Sequence, residues 1–503
     1  MAKSTIGKVF NNWMSHVGAF LASATTLIIL FFLIFNIYAN IDNPYIGIYI
    51  YLVLPPILVI GLIMIPVGMF RTWRQWQKTG DLSYRKWPYI DFNKRSHRVP
   101  VIVFVHVAIL VALVGSVVGY QAFHYSESVE FCGKLCHSVM EPEFVAYQNS
   151  PHARVSCTAC HVGAGAGWYT RSKLSGLYQV YAVNAKVYPK PIPTPLKNLR
   201  PAQETCEQCH WPEQFFGAQQ KQFNHYMYDE TNLHWPINML IKTGGGDPKT
   251  GQTAGIHWHM NIGVKVDYIA RDEKRQDIPW VRITDRETGR VTVYQDVTNP
   301  LSEEEIADAE PRQMDCMDCH NRPSHIFYPP DYAIDKAILT GQIDHDLPHM
   351  KRVAVEAMSK EYASREEALS KIASYITDFY RLKMPDYYEK NRVRIDKAII
   401  ATENAFKKNI FPKMNVRWES YQDNIGHFDN PGCMRCHLGN HKTDDGISIT
   451  HDCGACHSIL SQGSGDRTEI SVTQEGLDFT HPEDIDEAWR EIGCWECHSG
   501  VQP

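Results

Sequence analysis

All fourteen cysteines of this chain fall in seven clusters, and each cluster ends in Cys-His. Six have two residues between the cysteines: Cys157/Cys160/His161, Cys206/Cys209/His210, Cys316/Cys319/His320, Cys433/Cys436/His437, Cys453/Cys456/His457 and Cys494/Cys497/His498. The first in the chain, Cys132/Cys136/His137, has three. No thiol remains for a disulfide, a zinc ribbon or a nucleophile. The spacing has a chemical reason. Two cysteines must reach the two vinyl groups on one edge of a porphyrin, and the next residue must fold back so that its imidazole meets the iron. Cys-x-x-Cys-His does this and reads as a site of covalent c-type haem attachment. Zinc sites also use closely spaced Cys and His, but they pair their Cys-x-x-Cys units, and the gaps between these clusters are irregular. The expectation is seven covalently bound haem c groups.

Seven of the 23 histidines lie inside the motifs. A low-spin electron-transfer haem needs a second strong ligand, usually His and sometimes Met or Lys, so most of the seven irons should draw on the remaining side chains. Ile256-His257-Trp258-His259 stands out. Read as a strand, it puts two imidazoles on one face.

Three apolar runs must anchor this chemistry. Residues 17–39 and 46–70 contain no charged residue, and residues 101–123 carry only His106 as an ionisable group. Each is long enough to cross about 30 Å of hydrocarbon. The first is too long for a signal-peptide core and no small-residue cleavage site follows it. Pro55, Pro56 and Pro66 should kink the second, as membrane helices tolerate. Lys3 and Lys8 precede the first helix, the short loop 40–45 has no Lys or Arg, and the loop before the third carries Arg71, Arg74, Lys78, Arg85, Lys86, Lys94, Arg95 and Arg98. The positive-inside rule puts the amino terminus in the cytoplasm. The haem motifs then face the periplasm across a bacterial inner membrane. His106 and His16 lie near the cytoplasmic ends of their helices, where they meet headgroups or hold a non-covalent haem or a second quinone.

Hydrophobic residues make up 44% of the chain and charged residues 21%, as in a globular protein, and the net charge of −6 argues against nucleic acid as a partner. With so little protein per haem, the cofactors should form much of the core and regular structure should be sparse at the motifs. Two stretches depart from this. Residues 255–298 alternate like antiparallel strands around a turn-like Asp285-Arg-Glu-Thr-Gly, and residues 331–410 repeat at helical period. Tyr188 to Pro195 reads as an extended connector. The domain reading is a membrane anchor at 1–123, a tetrahaem region at 124–330 with a β-containing insertion at about 211–315, a helical segment at 331–410, and a trihaem region at 411–503. The fold class is a multihaem cytochrome c with three transmembrane helices, a mainly helical, haem-cored periplasmic domain and a small antiparallel β element.

The apolar run at 101–123, Cys136-His-Ser-Val-Met-Glu-Pro142, and Asn149-Ser-Pro-His152 before the second motif resemble the NapC/NirT family of membrane-anchored multihaem quinol dehydrogenases. That family includes the small anchor subunit of ammonia-forming nitrite reductase. The resemblance implies Met140 as ligand of the first haem, one residue later than usual, in a motif that is itself one residue longer. It implies His152 for the fourth haem, His325 for the second and Lys173 for the third, with His257 or His259 as rivals for the third. The carboxyl-terminal part resembles larger seven-haem inner-membrane cytochromes of metal-reducing bacteria. That likeness implies His427, His441 and His481 for the last three haems, with His451 in reserve. As iron ligands, His124, His225, His234, His345 and His349 read as ordinary polar residues.

Quinol oxidation is the function this resemblance implies, with the protein as a quinol:cytochrome c-type oxidoreductase. A quinol (menaquinol or ubiquinol) gives two electrons and two protons. His124 and Glu127, with Gln121 and Glu130, lie between the third helix and the first haem, and with Met140 they are the candidate quinol-site residues. Partners would be the membrane quinone pool and periplasmic c-type cytochromes or a terminal reductase. The alternative is a membrane-tethered conduit within a larger respiratory complex, with no quinol site of its own. A nitrite- or hydroxylamine-reducing enzyme is disfavoured because every motif ends in His, leaving no Cys-x-x-Cys-Lys.

Overall fold

A computed structural model of the protein describes residues 9–39, 54–80, 91–135, 137–163, 165–196, 199–211, 215, 217–244, 255–473 and 475–501. Lys3, Lys8, Arg85, Lys86, the loop 40–45 and the first residues of the second apolar run lie outside these. The chain forms two compact units, one of Met1–Leu135 with Ser156–Lys186 and the other of Cys136–Val155 with Val187–Pro503.

In the first unit the three apolar runs are helices α1 (Trp13–Ala39), α2 (Leu54–Thr79) and α3 (Arg95–Ser126), each long and apolar enough to cross a membrane. Pro55 and Pro56 lie in the first turn of α2, where a missing N–H costs nothing, and Pro66 lies inside it. Small residues let α1 and α2 approach closely. A Cβ on Gly18 would come within 2.7 Å of the Gly61 carbonyl, and one on Gly68 within 2.6 Å of Ser15 Oγ. Ser15 Oγ donates to the Ile65 carbonyl at 3.0 Å, the kind of polar cross-link that holds helices in lipid. His16 Nε2 meets Asn11 Oδ1 at 2.9 Å, and His106 Nδ1 donates to its own helix at the Ile102 carbonyl, 2.8 Å away.

The second unit has its apolar core in four helices, α4 (Pro330–Leu339), α5 (Met350–Ser359), α6 (Arg365–Lys383) and α7 (Pro385–Asn409). Ala368, Ile372, Ile376 and Tyr380 on α6 are fully buried at helical spacing, against Ile395 and Phe406 of α7 and Met350 and Met358 of α5. Ser364 caps α6 by accepting from the Glu367 N–H. This is the helical segment expected from the periodicity.

Two antiparallel sheets complete the unit. The first joins β1 (Gln219–Tyr226) and β2 (His234–Ile241) to β8 (His457–Gln462) and β9 (Glu469–Ile470). The second has the order β6-β3-β4-β5-β7, built on β3 (Val264–Ile269), β4 (Trp280–Asp285) and β5 (Val291–Asp296), with β6 (Arg312–Gln313) and β7 (His441–Lys442) at its edges. The expected strand run from 255 is therefore too long. Ile256–Met260 is a 3₁₀ turn, and strand pairing starts only at Val264. The first sheet has no counterpart among the sequence expectations. Its central partner β8 begins on a haem-motif histidine, and strand pairing across more than two hundred residues leaves no local signal.

Candidate haem-binding centres

Each fully described motif is one tight turn. Cys157–His161, Cys316–Cys319 and Cys494–Cys497 are single helical turns, and Cys206–Gln208, Gly432–Arg435 and Cys453–Ala455 are 3₁₀ turns. In four of them the histidine N–H bonds back to the carbonyl of the first cysteine: His210 to Cys206 at 2.9 Å, His320 to Cys316 at 2.8 Å, His437 to Cys433 at 3.2 Å and His498 to Cys494 at 2.9 Å. Residues three and four apart share a helix face, so the turn presents both sulfurs and the imidazole to one side. The longer first motif enters through a π-turn at Phe131–Leu135, which accommodates an additional residue. Cys136 and the side chain of His137 lie outside the described residues. None of the described cysteines is in a disulfide.

The motif cysteines differ in exposure on the polypeptide itself. Cys160 of the second motif and Cys209 of the third are exposed, as are Cys453 of the sixth and Cys497 of the seventh. Neither Cys157–His161 nor Cys206–Gln208 contains a buried residue, and the residues on either side of Cys160 and Cys209 are exposed or half-buried. A thioether bond requires reach and not burial, so Cys160 and Cys209 remain candidate tethers.

Five motif histidines in the second unit each face another histidine. His152 faces His210 at 6.2 Å between ring centroids, His257 faces His320 at 6.3 Å, and His259 faces His437 at 5.8 Å. His427 faces His457 at 6.3 Å, and His481 faces His498 at 6.2 Å. A coordinating imidazole nitrogen sits about 2 Å from its metal and about 1 Å from its own ring centre. Two axial imidazoles on one iron therefore have centroids roughly 6 Å apart. All five pairs match that separation, so the residues present fit haem iron.

The hydrogen bonds fix the tautomer of most partner histidines. Nδ1 of His152 donates to the Pro323 carbonyl at 3.1 Å, that of His257 to Thr243 at 2.7 Å, and that of His259 to Ile256 at 3.1 Å. A carbonyl only accepts, so Nδ1 carries the proton and the Nε2 lone pair is left for a metal. Neutral imidazole is the form that coordinates, and burial favours it by pushing His427 and the motif histidines His320, His437, His457 and His498 below their ordinary range, and His259 down to about 4.

Several ligand expectations change as well. His152 lies against the third motif and not the fourth, which is faced by His257. Lys173 is therefore not needed at the third motif. It sits in the first unit, its Nζ donating to Ser126 Oγ at 3.1 Å and lying over the Tyr169 ring. His257 and His259 do not share a face, because Ile256–Met260 is not a strand. His441 is spent on structure. It is 1% exposed on edge strand β7, with Nε2 donating to the Ile278 carbonyl at 2.7 Å and Nδ1 meeting Asn440 Oδ1 at 3.2 Å. His325 Nδ1 lies 3.0 Å from the Glu143 carbonyl oxygen and 3.1 Å from its carboxylate, beside Arg322, which reaches the same carboxylate at 3.2 Å. Burial holds His325 neutral despite that carboxylate.

Sequence reasoning misses two polar hubs, because no motif marks them. Asp318, inside the fourth motif, is 3% exposed. Its Oδ1 accepts from Tyr268 at 2.7 Å, Arg275 at 2.9 Å and Arg312 at 3.0 Å. Glu143 is the other, and its partners arrive from 179 and 182 residues away.

Among the candidate quinol-site residues, Glu127 caps the end of α3, and its Oε1 is buried with no hydrogen-bond partner among the described residues. His124 stacks edge-on against Tyr120 at 4.3 Å, and Tyr169 lies 5.6 Å from Phe123. Met140 is on the helix His137–Gln148, half-buried.

Comparison with known proteins agrees with this picture. The NapC/NirT cytochrome c family, N-terminal region, matches residues 94–191. Over 496 residues the chain is 44% identical to the cytochrome c-type protein ImcH of Geobacter sulfurreducens, a match covering 99% of this chain and 96% of that protein. No solved structure matches. The chain belongs to the NapC/NirT family of cytochromes c, whose members carry covalently bound haem c and transfer electrons at the membrane.

Proposed function

We propose that this protein oxidises membrane quinol and delivers the electrons to periplasmic acceptors through seven covalently bound haems. The observation that carries this reading is the set of five histidine pairs, each built on a haem motif and each spaced for one iron. Bound haem c supplies one-electron chemistry without taking up a proton.

The chain's own residues must do the rest. All fourteen cysteines serve as tethers, the exposed Cys160 and Cys209 among them. His152, His257, His259, His427 and His481 offer Nε2 to the irons of the third to seventh motifs, in that order. Met140 offers its thioether at the first motif, and His325 its imidazole at the second. A quinol releases two protons with its two electrons, so it needs acceptors near the end of α3. Glu127 suits this role. Its Oε1 is buried with no hydrogen-bond partner among the described residues, which leaves that oxygen available to a quinol hydroxyl. His124 lies one turn earlier and can relay the proton outward. The amino terminus is cytoplasmic and the haem-bearing part periplasmic.

The experiment is quinol-driven reduction of the oxidised protein and of its Glu127→Gln variant. The reading expects the variant to retain its haems and its reduction by dithionite, and to lose at least tenfold in the rate with quinol. An unchanged rate would remove Glu127 from the mechanism.

A further inference from the structure

We infer that the Ile256–Met260 turn bridges two irons, with His257 completing the coordination of the fourth haem and His259 that of the fifth, so that these two haems form an adjacent, electrostatically coupled pair. The inference rests on the haem-bearing reading above and gives it a spatial order that the motif sequence does not contain.

The turn geometry is the first support. A 3₁₀ turn has three residues per turn, so side chains two apart diverge by about 120°. In a strand they would point the same way. Accordingly His257 reaches His320 with ring planes 13° apart, and His259 reaches His437 with planes at 90°. Both partner rings have Nδ1 committed to a carbonyl and Nε2 available. Two residues of a 3₁₀ turn rise only about 4 Å, so the two ligand sites cannot lie far apart.

A second contact links the same motifs independently. Arg435, between the cysteines of the fifth motif, donates from Nη2 to the carbonyl of Asp318, between those of the fourth, at 2.9 Å. Asn424 Nδ2 donates to that carbonyl at 3.0 Å. Trp258, between the two histidines, packs in the same apolar cluster as Cys436. The rival ligand His441 has its nitrogens occupied by Ile278 and Asn440. An electron on one member of such a pair raises the energy of an electron on the other, because charges interact strongly in a poorly screened interior.

The test uses the full-length protein and the variants His257→Ala, His259→Ala, His259→Met and His441→Ala. Near-parallel axial imidazoles give rhombic low-spin resonance signals, and perpendicular ones give a single large-g, highly anisotropic signal. His257→Ala should remove a rhombic signal and His259→Ala a large-g signal. Each should then bind one equivalent of carbon monoxide when reduced, and His441→Ala none. His259→Met retains a ligand but raises the potential of the fifth haem. Its early reduction should move a second wave, that of the fourth haem, to lower potential. The bridge is overturned if His259→Ala binds no carbon monoxide, if His441→Ala opens an iron instead, or if His259→Met moves one wave alone. A haem count below seven in the unmodified protein would instead fault the parent reading, and pyridine haemochrome analysis reads that separately.

Discussion

His427 precedes the fifth haem motif in sequence but faces His457 of the sixth, 6.3 Å away with ring planes 25° apart. Its Nδ1 also lies 3.9 Å from Cys494 Sγ of the seventh motif. One imidazole thus stands where two later motifs meet. His427→Ala should leave the haem count unchanged and open one iron. One equivalent of carbon monoxide bound to the reduced variant, with loss of a rhombic low-spin signal, is the expected result. Retention of every low-spin signal would remove His427 as a ligand.

Asp318 tests whether the protein between the motifs is structural. Its carboxylate answers two arginines and a tyrosine in a nearly dry site. Asp318→Ala would leave Arg275, Arg312 and Tyr268 without their shared acceptor. Breaking a buried charge network of this kind costs about 3–5 kcal/mol. Thermal unfolding should move down accordingly, while carbon monoxide binding stays at the unmodified level because no ligand is touched. A newly opened iron would mean that Asp318 positions the fourth haem directly.

Glu143 orients His325 through both its carbonyl and its carboxylate, and it neutralises Arg322, whose guanidinium stacks over Tyr421 at 4.1 Å. Outer-shell partners of this type typically change metal affinity or activity by 10–100-fold when removed. Glu143→Gln preserves the backbone contact and removes the charge. Carboxylate hydrogen bonding makes an imidazole a stronger donor to iron, so the variant should show one haem potential moved upward. Seven unmoved waves would show that His325 is not an axial ligand.

The ion pair of Asp335 and Lys351, 2.7 Å apart, is buried between α4 and α5. Burial pushes the Asp335 carboxyl up to about 7, with Lys351 pulling it back. The folded state therefore holds this proton more tightly than the unfolded chain, whose carboxyl titrates near 4. Stability from this group is complete below about pH 4 and is lost as pH rises toward about 7. Thermal unfolding followed over that interval should show a smaller fall for Asp335→Asn than for the unmodified protein. Equal slopes would exclude Asp335 as the group responsible.

The motifs and the membrane helices are legible in the sequence because their signals are local. Cys-x-x-Cys-His is a single turn, and an apolar run announces itself residue by residue. The helical segment 331–410 is legible for the same reason. Ligand pairing is not legible. Analogy assigns His152 to the fourth motif, whereas the fold carries it to His210. His441 looks like a ligand by its place after a motif, but edge-strand pairing with β5 buries it against Ile278. A shared face for His257 and His259 comes from extending the alternating pattern of 264–296 too far upstream. The 3₁₀ turn that separates them follows Gly255, whose φ of 97° only glycine adopts readily. That glycine is the available signal. Glu143 and Asp318 give none, since a carboxylate's distant partners leave no trace in spacing.

The most direct measurement is anaerobic mixing of the purified, oxidised protein with a menaquinol analogue while the haem spectrum is recorded. The account predicts rapid haem reduction that a quinone-site inhibitor blocks. No reduction by quinol, alongside complete reduction by dithionite, would contradict it and leave the protein a conduit fed by another subunit.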